Sequence, residues 1–236
     1  MISTLILAGA FALIILGMPV AFAIGIAGAS YFLIPSVFLP DATAVQRIVA
    51  SSQSFPLLAV PLFILLGNMM NTAGITQRLV GLATVVAGWM RGGLAQSTLI
   101  LSALMGGISG SAGADAAMQS RILGLPMTNQ GYGRGFTAAI LSIGGLITAT
   151  LPPSLGLILY GYLGEVSIGR LFIAGVVPGV LLTIILMFTT WFIAIRRGYE
   201  PVNDRAPTVV EVAREFKHSI WAVLFPVWLL VGIRFG

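Results

Sequence analysis

Long apolar runs separated by single charges dominate this chain. Charge-free stretches cover residues 2–40, 48–77, 79–90, 92–114, 135–164, 171–195 and 220–233. A helix needs about 20 apolar residues to cross the hydrocarbon core of a bilayer. Most of these runs therefore predict a membrane span. The first is longer than one span needs, and Pro19 and Pro35 predict one long kinked helix that ends near Pro35. The second has its apolar core at 55–70. Two stretches, 41–52 and 208–218, place Val45, Ile48 and Val49, or Val209, Val212, Ala213 and Phe216, on one helical face. Each reads either as an amphipathic helix lying on the membrane surface or as an ordinary loop helix. Thr208 and Glu211, just after Pro207, have capping-box spacing and mark a helix start. Residues 196–207 form the one clear polar loop.

Composition sharpens this pattern. Of 236 residues, 58% are hydrophobic and 8% charged, against about a quarter charged in a soluble domain. Such a chain cannot build a water-facing surface, so its apolar faces meet lipid. Cysteine is absent and His218 is the single histidine, which excludes disulfides, thiolate metal sites and paired-histidine metal sites. The net charge of +5 comes from basic residues scattered between apolar runs. That scatter fits topology-setting loops and gives no nucleic-acid surface. No basic residue precedes the first apolar run, and that run is too long for a signal-peptide core, so it is expected to be a retained first span.

Orientation follows from the basic residues. With the N-terminus outside, Arg47, Arg91, Arg121, Arg134, Arg196, Arg197, Arg205, Arg214 and Lys217 fall on the cytoplasmic side, and Arg78, Arg170 and Arg234 fall outside. This threading requires residues 92–126 to enter and leave on the same side. Within them, residues 106–113 read GGISGSAG, too rich in Gly and Ser for a lipid-facing helix. A re-entrant hairpin accounts for both observations, because non-helical backbone at membrane depth survives only against protein or a cavity.

Asp115 lies just past the expected hairpin tip. A carboxylate at that depth is a functional candidate, and it also has the position of an N-cap for the second arm. Ser109 and Ser111 add hydroxyls, and the tip adds carbonyls. These hard oxygen ligands suit a small alkali cation, whereas the alternative for small residues is close helix packing. A second interruption, Thr148-Ala149-Thr150-Leu151-Pro152-Pro153-Ser154, breaks the span at 135–163 or kinks it. Discontinuous helices of this kind build ion and substrate sites in secondary transporters. Gly107-Ile108-Ser109-Gly110 matches the GxSG of intramembrane serine proteases, but those need a histidine base, and His218 lies in a charged segment. Gly131-Tyr132-Gly133-Arg134-Gly135 lacks the Lys of a phosphate loop.

Several motifs together resemble one family. They are LGMPVAFA at 16–23, SFPLLAVPLFILLGNMMN at 54–71, GGISGSAGADAA at 106–117 and LPPSLGLILYGYLGEVSIGRLFIAGVVPG at 151–179. In order and spacing they resemble the large membrane subunit of tripartite ATP-independent periplasmic (TRAP) transporters. The resemblance implies an all-α elevator-type fold of two inverted repeats, each with a re-entrant hairpin and a broken helix. It implies a non-enzymatic permease of the bacterial inner membrane. Import of an organic acid (a C4-dicarboxylate, sialic acid or a similar carboxylate) would be driven by sodium as the coupling ion, without any other cofactor. A small membrane subunit and a periplasmic substrate-binding protein would be partners. Ser109, Gly110, Ser111, Ala112 and Asp115 would form one half of the site, with Ser109, Ser111 and Asp115 as sodium ligands. Thr148, Thr150, Pro152, Pro153 and Ser154 would form the facing half. On this basis residues 1–197 are the first repeat, 198–219 a cytoplasmic connector and 220–236 the start of a second repeat, so the chain is expected to be the N-terminal half of the subunit. Departures from the family pattern occur at 144–149, where hydroxyl residues are fewer, and at Met118-Gln119-Ser120, usually a smaller, alanine-rich stretch. Another ion-coupled carrier or channel with re-entrant loops is the alternative, and a membrane-embedded enzyme comes third.

Overall fold

A computed structural model describes residues 2–32, 45–46, 49–50, 53 and 55–235. The described residues are helical, with no strand among them. They divide into two compact units, Met1–Phe55 and Pro56–Gly236.

The first unit holds α1 (Ile2–Ile15) and α2 (Val20–Phe32), which pack against each other. The apolar pattern predicts one kinked helix here. The structure instead has two helices separated at residues 16–19. Pro19 lacks the amide that would continue α1, and its carbonyl accepts from Phe22 and Ala23 to start α2. Pro35 and most of the expected surface helix at 41–52 lie outside the described residues.

The second unit runs α3 (Phe55–Thr72), α4 (Ile75–Ala87), α5 (Gly93–Gly106), α6 (Ala112–Asn129), α7 (Arg134–Thr150), α8 (Leu155–Leu163), α9 (Ile168–Arg197) and α10 (Val209–Phe235). By length and apolarity α9 alone suffices to cross a membrane among the described residues, with mean hydropathy 2.6 over its best window. At 1.5 Å per residue its 30 residues span about 45 Å. Its flanks expose Ile173, Val177, Leu181, Ile184 and Phe188, an apolar surface with no place in water. Helices α7 and α8 qualify together as a second span, bent by 46° at their break. Helix α5, with 14 residues, reaches about 21 Å and falls short of a roughly 30 Å core.

Helix α7 packs on both α5 and α6, α4 on α5 and α10, and α9 on α5, α7 and α8. Leu79, Ala83, Leu101, Met105, Ile108, Leu123 and Leu141 form the larger core cluster. A second cluster gathers Leu94, Ala95, Met127, Tyr132, Ile140 and Tyr199 at the other end of α5. There the chain leaving α9 closes the bundle. The Tyr199 carbonyl accepts from the Gly92 amide at 3.3 Å, its hydroxyl accepts from the Gly133 amide at 3.3 Å, and its ring stacks on Tyr132 at 4.3 Å. The entry to α5 and the exit from α6 therefore sit at one end of the unit.

The capping-box spacing marks the start of α10. Glu211 N donates to Thr208 Oγ1 at 3.4 Å and Thr208 N donates to Glu211 Oε2 at 2.8 Å. The helix then continues past residue 219 without a break, where the apolar pattern separates a surface helix from a following span. Residues 218–220 contain neither Gly nor Pro to end a helix, and Ser219 donates to the Arg78 carbonyl, tying this turn to α4.

Candidate functional site

The site lies where the turn between α5 and α6 meets the break between α7 and α8. The turn depends on Gly110, whose φ is +57°, a conformation costly for residues with a Cβ. Its backbone also leaves no room for one, since a Cβ would lie 2.5 Å from the Pro153 carbonyl oxygen. The Gly110 carbonyl accepts from the Leu155 amide at 3.2 Å. Each helix beyond this junction starts on a serine. Ser111 Oγ accepts from Ala114 N at 3.5 Å and Ser154 Oγ from Leu157 N at 3.4 Å. Two helix N-termini, with their partial positive charge, thus converge on one spot.

Ser111 is the N-cap of α6, so Asp115 is not. Extended geometry at Ser111 follows directly from the Gly110 turn and starts the helix one turn earlier than an Asp115 cap would require. Asp115 falls in the first turn of α6 and is 1% exposed. Its Oδ2 accepts from Gln119 Nε2 at 2.7 Å and from Thr148 Oγ1 at 2.5 Å. Gln119 Nε2 also donates to Ser102 Oγ at 2.7 Å. The Thr148 hydroxyl lies 3.0 Å from the Ser102 carbonyl as well, and its one proton serves one acceptor at a time. Asp115 Oδ1 and Ser109 Oγ are buried without a protein partner. Both residues line a cavity of about 300 Å³ with Ser111, Asn68, Gly67, Met105 and Leu155. No basic residue lines that cavity, so the carboxylate faces it without a counter-charge.

Close helix approach makes this network possible. A Cβ at Gly144 would sit 2.5 Å from Ser102 Oγ, and one at Gly145 would sit 2.7 Å from the Ala112 carbonyl oxygen. The glycine pair lets α7 press against α5 and α6 together.

The structure brings Asp115 against Thr148, Gly110 against Pro153 and Ser154, and Ala112 against Gly145, and of the expected site residues Ser109, Ser111 and Asp115 line the cavity. It does not bring Thr150 or Pro152 into the cavity. The Thr150 hydroxyl bonds its own turn at the Leu146 carbonyl, 2.7 Å away. Pro152 packs toward Gly175 of α9 and lines a separate small cavity with Ala103, Gly107 and Val176. Two residues along α7 make a turn of roughly 200°, so Thr148 and Thr150 face opposite ways. Ser102, Gln119 and Asn68 are the additional polar residues of this region. Gln119 was legible as the i+4 partner of Asp115, and Asn68 as a polar position inside an apolar run. No group of three or more His, Cys, Asp or Glu that could hold a metal occurs among the described residues.

A chain helical throughout its described residues, with one helix long and apolar enough to cross a membrane, a bent helix pair and a buried carboxylate without a counter-charge, has the make-up of a membrane transport protein. Residues 7–236 match the family model of the tripartite ATP-independent periplasmic transporter, DctM component, and the chain belongs to that family. This is a family of transport proteins rather than enzymes. The chain is similar to the sialic acid TRAP transporter permease protein SiaT of Haemophilus influenzae, 39% identical over 221 residues, 94% of this chain and 35% of that protein. It is 34% identical over 223 residues to the 2,3-diketo-L-gulonate TRAP transporter large permease protein YiaN of Escherichia coli, covering 94% of this chain and 52% of that protein. The sialic acid TRAP transporter large permease protein SiaM of Vibrio cholerae is 35% identical over 228 residues, 97% of this chain and 53% of that protein. The chain thus spans about half the length of such large permeases.

Proposed function

We propose that this chain supplies one wall of the ion and substrate site of a binding-protein-dependent secondary transporter in the bacterial inner membrane. The transporter imports an organic acid down a sodium gradient, with a small membrane subunit and a periplasmic substrate-binding protein as partners. One observation carries the reading. Asp115 Oδ1 and Ser109 Oγ lack protein partners and belong to residues lining the cavity where two serine-capped helices begin. Hard oxygens without a donor suit sodium, and the converging helix starts suit a carboxylate. Relatives named for sialic acid and 2,3-diketo-L-gulonate support the substrate class.

Helices α5 and α6 form a re-entrant hairpin open to the cytoplasm. Supporting this, α5 is too short to span, and Gly92 and Gly133 both rest on Tyr199. Arg196 and Arg197, at the adjacent end of α9, suit the cytoplasmic side under the positive-inside rule.

Radioactive sodium binding to the complete, purified transporter tests the reading without knowledge of the acid. Saturable binding that choline does not displace is expected, and Asp115→Asn is expected to abolish it while leaving expression unchanged. Absence of saturable sodium binding in the unaltered transporter would refute sodium coupling. Full binding in Asp115→Asn would remove Asp115 from the site.

A further inference from the structure

We infer that Gln119 and Ser102 are positioning residues that set the cation affinity of Asp115, an inference that rests on the sodium reading above. The argument begins with the two carboxylate oxygens. Oδ2 is saturated by Gln119 Nε2 at 2.7 Å and Thr148 Oγ1 at 2.5 Å, whereas Oδ1 has no protein partner. A carboxylate free to rotate about its terminal torsion would exchange these roles, because that torsion is broad and two-fold. Two donors on one oxygen hold the group with the other oxygen available.

The donors are themselves held. Gln119 Nε2 uses its second proton on Ser102 Oγ at 2.7 Å, which fixes the amide plane. Ser102 lies on α5, Gln119 and Asp115 on α6, and Thr148 on α7. All four side chains are buried, none more than 1% exposed. The Asp115 carboxylate is therefore oriented by donors that reach it from the far side of the cavity, and neither Gln119 nor Ser102 lines that cavity. Their effect on a bound cation acts through Asp115 alone. Groups that hydrogen-bond a ligating carboxylate change metal affinity by roughly 10–100-fold when removed, because a ligand must otherwise be ordered at the cost of binding.

Sodium binding to the complete transporter separates positioning from mere packing. Gln119→Ala is expected to raise the sodium Kd on the order of tenfold while the number of binding sites per folded protein stays constant. Ser102→Ala is expected to shift Kd in the same direction by less, because Ser102 Oγ holds the Gln119 amide in place. The ratio of sodium to lithium affinity is expected to move with Kd, since a loosened carboxylate discriminates less by size. If Gln119→Ala lowers yield, Ser102→Ala carries the test in its place. Wild-type Kd and selectivity in both variants, with binding lost in Asp115→Asn, would overturn the positioning role alone. Absence of saturable sodium binding in the unaltered transporter would overturn the sodium reading and this inference with it.

Discussion

Gly110→Ala probes the contact on which the site depends. The substitution introduces three costs. A residue with a Cβ at φ +57° is strained by about 1 kcal/mol. The new Cβ would also lie 2.5 Å from the Pro153 carbonyl oxygen and 3.2 Å from Ser154 Cα. Both are backbone atoms that cannot rotate aside. Forcing the turn away from the α7–α8 break costs about 1–3 kcal/mol as overpacking, and stretching the 3.2 Å bond from Leu155 N to Gly110 O removes about 1 kcal/mol more. The sum is about 3–5 kcal/mol.

Two other glycines calibrate that figure. Gly131 has φ +84° but nothing within 4 Å of a Cβ, so Gly131→Ala bears the strain alone, about 1 kcal/mol. Gly113 is helical with open space around it, so Gly113→Ala is expected to be neutral or stabilising by up to about 1 kcal/mol. Thermal denaturation of the complete transporter in detergent gives the ranking. At about 2–4 °C per kcal/mol, Gly110→Ala is expected to fall by roughly 10 °C, Gly131→Ala by about 3 °C and Gly113→Ala not at all. Equal melting temperatures for Gly110→Ala and Gly131→Ala would show that the turn does not press on the double-proline break, and the site as described would be wrong.

Gly144→Ala is expected to destabilise by driving its Cβ into Ser102 Oγ, and Ser102→Ala is expected to suppress the effect, because the remaining Ser102 Cβ lies at an ordinary 3.5 Å. A double-mutant melting cycle checks this, and simple additivity would refute it. Glu211 is held below the ordinary glutamate range by the Thr208 amide first and the Thr208 hydroxyl next, with Arg205 nearby. Its folded value is depressed, so its contribution to the α10 start is present above the unfolded value and lost as pH falls through the folded one. Hydrogen-exchange protection factors at residues 209–212, referred to the intrinsic rate at each pH, are expected to fall in acid, and Glu211→Gln is expected to remove that dependence.

Much of the helix pattern was legible because membrane-facing runs leave a plain trace. Arg78 falls in the first turn of α4, Arg91 between α4 and α5, and Arg134 at the start of α7, and Gly-Ser and double-proline stretches mark the two interruptions. Three features were not legible for distinct physical reasons. The gap at residues 16–19 turns on whether the proline bends or ends a helix, and proline chemistry permits both. The continuity of α10 joins an amphipathic stretch to an apolar one, which hydropathy divides but backbone hydrogen bonding does not. In the site, the tip and the break were each readable, yet their mutual contact is a tertiary fact. Helical phase at Thr148 and Thr150 could have excluded Thr150, since only one α7 face meets Asp115. Ser102 needed the partner helix to be known, because a serine in an apolar span also packs as a small residue.

The unpaired state of Asp115 bears on coupling in the proposed reading. A buried carboxylate without a counter-charge repels an approaching organic anion, and low surrounding polarity strengthens that repulsion. The two helix starts beside it attract the same anion, but with partial charges only. Cation binding at Asp115 Oδ1 would cancel the repulsion and leave the attraction. The anion would then bind well only after the cation, without any moving gate. Such a coupling free energy is reciprocal, so the acid must tighten sodium binding by the same factor that sodium tightens the acid. In that reading the charge dependence runs through Asp115 Oδ1. Hydrogen bonds from Gln119 and Thr148 already occupy Oδ2, and those donors reduce the negative charge the anion meets without abolishing it. Asp115→Asn removes the repulsion as well as the cation ligand. The variant should therefore retain affinity for the acid while losing its dependence on sodium, whereas an acid affinity lost together with sodium binding would mean that the carboxylate shapes the anion site directly.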